Sequence, residues 1–201
     1  MKRLNYTIKL SCILWLVFWQ TACTGIFVED PIDPRLPKYT EEGNNTAGAL
    51  IDGKVWRSIV QTFFGGIIDR PDIVSYPEQD SLQITYCGEM DGQDFQIQFH
   101  LKGYHIQKIE DLKQLDGKIL ELDGVLNAGS LFPRDAVSSS SNGGKGQLYF
   151  RNIQVQDSSS AVISGTFGFE STNQNGVVTH IRNGRFDYTI FATSNFRTED
   201  S

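Results

Sequence analysis

Apolar and polar residues alternate strictly in residues 81–86 and 94–102, and Asp91-Gly92 lies between these two stretches. A period of two puts the apolar side chains on one face of an extended strand. Asp-Gly favours the positive φ angles of a type I′ turn, so we predict an antiparallel hairpin. A two-residue loop there sets three apolar pairs opposite each other: Leu82 with Leu101, Ile84 with Phe99, and Tyr86 with Ile97.

Shorter stretches of the same kind recur along the chain, separated by turns that contain glycine. Strands spaced this closely are typical of an antiparallel β-sandwich or a barrel. We therefore predict an all-β fold of about 8–9 strands. The other predicted strands are residues 47–51, 54–62, 118–127, 146–156, 161–171, 177–182 and 185–191.

Two segments depart from the period of two. Ile109, Leu112 and Leu115 recur every three residues and are followed by Gly117, which predicts one short helix. Residues 133–146 are rich in serine and glycine and show no apolar period, so we predict a loop there.

The first residues have the features of an export signal. Lys2 and Arg3 precede a nearly unbroken apolar run over residues 10–19, which is about half the length that a membrane-spanning helix needs. Ala22-Cys23 follows this run and resembles the lipobox of bacterial lipoproteins, in which the cysteine thiol is acylated. The alternatives are ordinary secretion, with Cys23 as a free thiol, and an uncleaved anchor.

These features predict the domain layout. We expect a signal peptide at 1–22, the lipidated Cys23 with a proline-rich tether to residue 40, a β-domain at 41–192 and a tail at 193–201. Removal of 1–22 would change the formal charge from −6 to −9, because this segment holds three basic and no acidic residues. The acidic balance argues against nucleic acid as a partner. Only Cys23 and Cys87 would remain, so we expect no internal disulfide.

Three segments resemble a family of small uncharacterised lipoproteins of the Bacteroidota. They are TEEGNNTAGALIDGKVW at 40–56, ISGTFGFES at 163–171 and VVTHIRNGRFDYTI at 177–190. The resemblance implies an envelope lipoprotein with a β-rich domain, and it implies no catalytic residues. From their residue types alone, the same segments are interpreted as supplying turns and large core side chains.

Residue patterns that carry chemistry are weak throughout. The chain has no HxxxH, HxH or CxxC spacing for zinc and no G-x-S-x-G nucleophile turn. A two-residue turn at Asn183-Gly184 would set His180 opposite Asp187, although a bulge there with 163–171 paired to 185–191 fits equally well. Glu89, Asp91 and Asp94 lack the ligand spacing of a calcium loop. We predict no metal, no cofactor and no enzymatic activity.

Two further features concern binding and modification. Residues 63–79 concentrate apolar side chains where glycine and proline interrupt regular structure; they either close one end of the domain or form an exposed apolar lip. The lip would contact a ligand through Phe63, Phe64, Ile67, Ile68 and Tyr76. Asp80-Ser81-Leu82 matches a short O-glycosylation pattern of this phylum, so Ser81 is a candidate glycosylation site.

Together these expectations describe an outer-membrane-anchored protein of the cell envelope, on the periplasmic face or the cell surface. Its first predicted role is a non-catalytic binding or interaction module for an envelope protein or a glycan. The alternative is a lipocalin-like carrier of a small apolar ligand, because closed eight-stranded barrels can hold one.

Overall fold

The computed structural model describes residues 33–59, 61–63, 66–68, 71–133, 142–173 and 175–199. Within these residues the regular elements are thirteen strands and two short 3₁₀ helices, at Pro77–Gln79 and Ile109–Leu115. The strands are β1 (Thr46–Ile51), β2 (Lys54–Ser58), β3 (Gln61–Phe63), β4 (Gly66–Ile68), β5 (Asp72–Tyr76), β6 (Ser81–Met90), β7 (Gln93–Lys102), β8 (Ile119–Asp123), β9 (Ala128–Pro133), β10 (Asn142–Asp157), β11 (Ser160–Thr172), β12 (Val178–Phe191) and β13 (Phe196–Thr198).

Eight strands close into an antiparallel barrel. The order is β6-β2-β1-β12-β11-β10-β9-β7, and β7 pairs again with β6. The predicted all-β fold is therefore confirmed. Because the sheet closes on itself, the fold is a barrel and not a sandwich. Closure also removes the exposed sheet edges that an open sheet would leave.

The hairpin predicted at Asp91-Gly92 is confirmed in its register. β6 and β7 pair Leu82 with Leu101, Ile84 with Phe99 and Tyr86 with Ile97. All six of these side chains are buried, so the apolar alternation was sufficient to fix which face points inward.

One strand of the barrel wall is interrupted. β2 pairs with the C-terminal part of β6, as in Arg57 with Glu89, and β5 pairs with the N-terminal part of β6, as in Ile73 with Ile84. β7 occupies the other side of β6 over its whole length, so β2 and β5 form one row. Between β2 and β5 the chain includes the two short segments Gln61–Phe63 and Gly66–Ile68, which together we call the excursion. It contains the separate two-stranded sheet β3–β4.

The predicted short helix is present as the 3₁₀ helix Ile109–Leu115. A 3₁₀ helix has three residues per turn, which places Ile109, Leu112 and Leu115 on one face, and all three are buried. Lys113 Nζ donates to the Ile153 carbonyl at 2.8 Å, and the Ile153 N–H donates to Asp116 Oδ1 at 2.7 Å. These bonds fix the helix on β10 at one end of the barrel.

Three predicted boundaries are wrong. The strand at 118–127 ends at Asp123, because Asp123 Oδ1 accepts the N–H groups of the next turn and so starts an Asx-type loop. The loop predicted at 133–146 overlaps β9 at Pro133 and β10 from Asn142 onward; residues 134–141 lie outside the described part. Residues 193–201, assigned to a tail, contain β13, which pairs in parallel with β5.

The predicted strands 177–182 and 185–191 form one strand, β12. Asn183 has a φ of 53°, and the register of β11 against β12 shifts there. A bulge rather than a turn therefore occupies Asn183-Gly184. Of the two alternatives that the sequence left open, the bulge with 163–171 paired to 185–191 is confirmed.

Residues 33–45, which we call the strap, lie on the outside of the barrel. Leu36 is only 6% exposed, and its strap neighbour Pro37 lies so close to Gly48 that a Cβ there would be 2.4 Å from Pro37 Cδ. The sequence predicts a tether up to residue 40, whereas Arg35 already contacts the Gly53 carbonyl and Leu36 is buried. The packed domain therefore begins no later than Arg35.

The barrel interior is filled by aromatic rings in mutual contact. Tyr86 lies 5.5 Å from Tyr188 and 5.4 Å from Phe186, and Phe99 lies 5.2 Å from Phe167 (ring centroids). Contacts at these distances are typical of aromatic pairs in cores. No helix in the described residues is both long enough and apolar enough to cross a bilayer.

Candidate functional site

The strap is held by one buried carboxylate. Asp187 on β12 is 1% exposed and accepts the backbone N–H groups of Glu42, Gly43 and Asn44 at 2.7–3.2 Å. The Thr40 hydroxyl donates to the same carboxylate. A buried charge is tolerated only when it is well hydrogen-bonded, and the strap supplies that environment.

The other end of the strap is fixed by arginine side chains. Arg57 on β2 donates through Nε to the Arg35 carbonyl at 2.9 Å, and Arg185 donates through Nη1 to the Pro37 carbonyl at 3.3 Å. Arg35 in turn donates through Nη2 and Nε to the Asp33 carboxylate oxygens, at 2.7 and 3.0 Å. The Arg35 hydrogen bonds lower the pKa of Asp33 to about 2.

A groove lies between the strap, β2 and β6, where the excursion leaves the wall. Its volume is about 590 Å³. The lining combines two guanidinium groups, two carboxylates, a hydroxyl group and two aliphatic side chains. It consists of Arg35, Val55, Arg57, Ser58, Ile59, Glu89 and Asp91. This mixture suits a polar chain with apolar parts, such as a peptide segment or an oligosaccharide, better than a purely apolar ligand.

The acidic side chains of the groove differ in their partners. Asp91 is paired with Lys54 at 2.7 Å, and this contact raises the pKa of Lys54. Glu89 lies opposite Asp94 in the hairpin register and is exposed. Asp91 is exposed as well, so the two carboxylates differ in the contact with Lys54 and not in their access to solvent. Glu89 stands next to Arg57, its register partner on β2.

The apolar lip predicted from the sequence maps onto the excursion and β5. Phe63 belongs to β3, and Ile67 and Ile68 belong to β4. Phe64 lies outside the described residues. Tyr76 ends β5 and is partly buried, and burial, followed by the charge of Glu199, raises its pKa. Tyr76 lies eight residues after Ile68, the last residue of the β3–β4 sheet, so the five residues do not form one continuous segment.

Ser81 is less accessible than the sequence suggested. It is 5% exposed, and its hydroxyl is buried without a hydrogen-bond partner. Ser81 pairs with Tyr76 on β5 and with Lys102 on β7, so neighbouring strands flank it on both sides. Glycosylation of Ser81 stays a prediction, and it would have to precede folding. Cys23 lies outside the described residues.

The three histidines do not meet. His180 lies opposite Glu170, with Nδ1 3.2 Å from its carboxylate, so the alternative pairing with Asp187 is wrong. His105 contacts Asp80 at 2.9 Å and is exposed. Burial, with a smaller effect of Lys102, lowers the pKa of His100. No group of three potential metal-ligating side chains occurs among the residues that the structure describes.

Cys87 is half-buried on β6, and Gln96 on the neighbouring strand places Nε2 3.6 Å from its sulfur. Asp91 and Asp94 both lie at the hairpin tip, and the Asp91 carboxylate is engaged with Lys54.

Comparisons with protein-family models, with curated proteins and with solved structures gave no match. Sequence reasoning missed Arg35 and Arg57, which border the groove. A signal was present for Arg57, because it alternates with the buried Trp56 and must point outward. No comparable signal marked Arg35, since its position depends on how the strap crosses the barrel.

Proposed function

We propose that this chain is a lipid-anchored envelope lipoprotein whose barrel serves as a non-catalytic interaction module. The barrel would use its outer wall, at the groove beside the excursion, to bind a peptide segment or a glycan. Cys23 would carry the acyl chains that hold the module at the membrane.

The filled interior is the observation that supports this role. Trp56, Tyr86, Phe99, Phe150 and Phe186 are each at most 1% exposed. Tyr86 contacts the rings of Phe99 and Phe186, and Phe186 also contacts Phe150. A carrier needs interior space for its ligand, whereas an interaction module needs only a rigid wall. The groove between Arg57 and Glu89 is an opening on that wall.

The carrier role is the second candidate, and barrel closure is the observation that favours it. A ligand would have to displace aromatic side chains from the interior. Native mass spectrometry of the purified, lipidated protein separates the two roles. A carrier retains a small molecule at one equivalent per chain, and a module does not.

The anchor is tested by Cys23→Ala. We expect the variant to leave the membrane fraction, because two or more acyl chains contribute about 0.8 kcal/mol per buried CH₂. Continued membrane retention would contradict the anchor. Cys87→Ala is the matched control, and it should remain membrane-bound.

The interaction site is tested by a photoreactive amino acid in place of Ile59 in living cells. We expect a discrete crosslinked product that is lost when Arg57→Glu or Glu89→Arg is added. The exposed Lys145 on β10 offers a control: Lys145→Glu should leave the product unchanged. A crosslinked product whose yield stays the same with Arg57→Glu, Glu89→Arg and Lys145→Glu would refute the groove as the binding site.

A further inference from the structure

The groove of the proposed interaction site has the outer face of β2 as its floor. Trp56 is fully buried and points inward, so the side chains on either side of it, Val55 and Arg57, point outward. Ile59 continues this alternation, and its N–H donates to the Cys87 carbonyl of β6 at 3.3 Å. The floor therefore presents an aliphatic side chain, a guanidinium group and a second aliphatic side chain, about 7 Å apart along the strand.

The strap forms one wall of the groove. Arg57 donates to the Arg35 carbonyl through Nε, at 2.9 Å, and through Nη2. Arg35 in turn donates to the Gly53 carbonyl at 3.3 Å, and its guanidinium group is paired with the Asp33 carboxylate. The charge of Arg35 is thus compensated within the strap. The guanidinium group of Arg57 is held on the strap side of the groove, and its Nη1 takes part in neither of the two bonds.

β6 and the hairpin tip form the opposite wall, and this wall is acidic. Glu89 is the register partner of Arg57, and Asp94 lies opposite Glu89 on β7. Both carboxylates are exposed. Among the described residues no ion pair joins Arg57 to Glu89, because the bonds to the Arg35 carbonyl turn the guanidinium group toward the strap. The groove therefore presents a cation on one wall and an anion on the other, at the same level along β2.

We propose that the groove binds an extended peptide in which an acidic and a basic residue are adjacent. This inference deepens the proposed function and rests on it. Successive side chains of an extended chain point to opposite sides, so a peptide that runs along β2 directs neighbouring side chains to opposite walls. Its carboxylate would then meet Arg57, and its ammonium or guanidinium group would meet Glu89. Apolar residues on both sides of the charged pair would lie over Val55 and Ile59.

The charges of the groove favour a peptide over a neutral glycan. A neutral glycan supplies hydroxyl groups, which compensate neither Arg57 nor Glu89. A peptide supplies two opposite charges at a fixed spacing, together with aliphatic contacts for the floor. Because complementary charges across an interface contribute more to specificity than to affinity, we expect the groove to select peptides by the position of their charges.

The proposal is tested with two peptides of identical composition, Ser-Val-Glu-Lys-Val-Ser and Ser-Glu-Val-Lys-Val-Ser. The charged residues are adjacent in the first peptide, whereas in the second they are two positions apart and point to the same side. Binding of the fluorescein-labelled peptides to the full lipidated chain in detergent micelles is measured by anisotropy, with empty micelles as the blank. We expect several-fold tighter binding of the first peptide. Equal binding, tighter binding of the second peptide, or no binding of either would overturn the proposal.

A charge cycle at Glu89 tests the acidic wall. Glu89→Gln removes the charge and leaves the contacts of Arg57 with the strap in place. It should weaken binding of the Glu-Lys peptide several-fold and leave binding of Ser-Val-Glu-Gln-Val-Ser nearly unchanged, because that peptide lacks the cation that Glu89 would meet. The matched control is Glu121→Gln, at an exposed position on β8, whose described residues do not line the groove. An equal loss for both peptides, or an equal loss with Glu121→Gln, would contradict the pairing with Glu89.

The crosslink from position 59 separates this proposal from the interaction site itself. If the crosslink requires Arg57 and Glu89 but the two peptides of identical composition bind equally, the site stands and the adjacent charge pair is refuted. If the crosslink is also independent of those two residues, both proposals are refuted. Displacement of the labelled peptide by an equal concentration of a neutral oligosaccharide, cellohexaose, would assign the groove to a glycan and overturn the peptide.

Discussion

The ring of Phe167 fills the space that a side chain on Gly184 would need. A Cβ at Gly184 would lie 2.3 Å from two atoms of that ring. The same relationship recurs around the interior: Trp56 lies on Gly88, Phe169 on Gly129, and Phe186 on Gly165. Glycines on other strands of the barrel thus make room for the rings, which explains how a narrow barrel holds so many large side chains.

We predict that Gly184→Ala lowers the free energy of unfolding by about 1–3 kcal/mol, because the new methyl group would overlap the Phe167 ring. Gly168→Ala is the matched control. The nearest atom to a Cβ there is the Ile181 carbonyl oxygen at 3.5 Å, an ordinary contact. Urea unfolding of both variants provides the measurement. Equal midpoints for the two would mean that Phe167 rotates away without cost.

Tyr86 carries the prediction that bears on the carrier role. Its hydroxyl is buried and lacks a hydrogen-bond partner among the described residues. Tyr86→Phe should therefore raise the free energy of unfolding, by about 1 kcal/mol, since an unsatisfied polar group is removed and the ring is kept. A loss of stability would instead indicate a bound molecule that hydrogen-bonds to this hydroxyl, and it would favour the carrier.

Local patterns predicted those parts of the fold that local physics determines. The β6–β7 register follows from alternation and an Asp-Gly turn, and the helix at Ile109–Leu115 follows from its three-residue spacing. Both depend on residues close to each other in the chain.

The candidate site depends on long-range contacts that no local pattern encodes. Asp187 lies 143 residues from Asn44, which it holds, and Arg57 lies 22 residues from the Arg35 carbonyl. Prolines in the strap predicted an extended chain, but they could not indicate that it packs on the barrel. No local pattern indicated that β2 and β5 lie in one row beside β6, because the excursion separates these two strands in sequence.

The Asp187 contacts predict a large effect from a small change. Asp187→Asn replaces one acceptor oxygen with an amino group that faces N–H donors of the strap. We expect a loss of about 2–3 kcal/mol, against about 1 kcal/mol for Thr40→Ala, which removes one donor. Hydrogen exchange locates the effect: the amides of Glu42, Gly43 and Asn44 should exchange faster. Unchanged protection of these amides would contradict the role of Asp187 in holding the strap.

The contact between Asp116 and its partners predicts how stability depends on pH. The Lys113 ammonium group, followed by the Ile153 N–H, lowers the pKa of Asp116 below its usual 3.8. A carboxyl group with a lower pKa in the folded state stabilises the fold above pH 3.8, and this contribution is lost as the pH falls through the folded pKa.

Asp116→Asn should therefore be less stable than the natural chain at pH 7, and the difference should shrink as the pH is lowered below 3.8. Carboxyl NMR titration gives a second measurement. Because the hydrogen bond from Lys113 is the largest cause of the shift, Lys113→Met should raise the pKa of Asp116 toward 3.8. A difference between the chains that stays constant with pH, or an Asp116 titration that Lys113→Met leaves in place, would show that this ion pair does not stabilise the helix on β10.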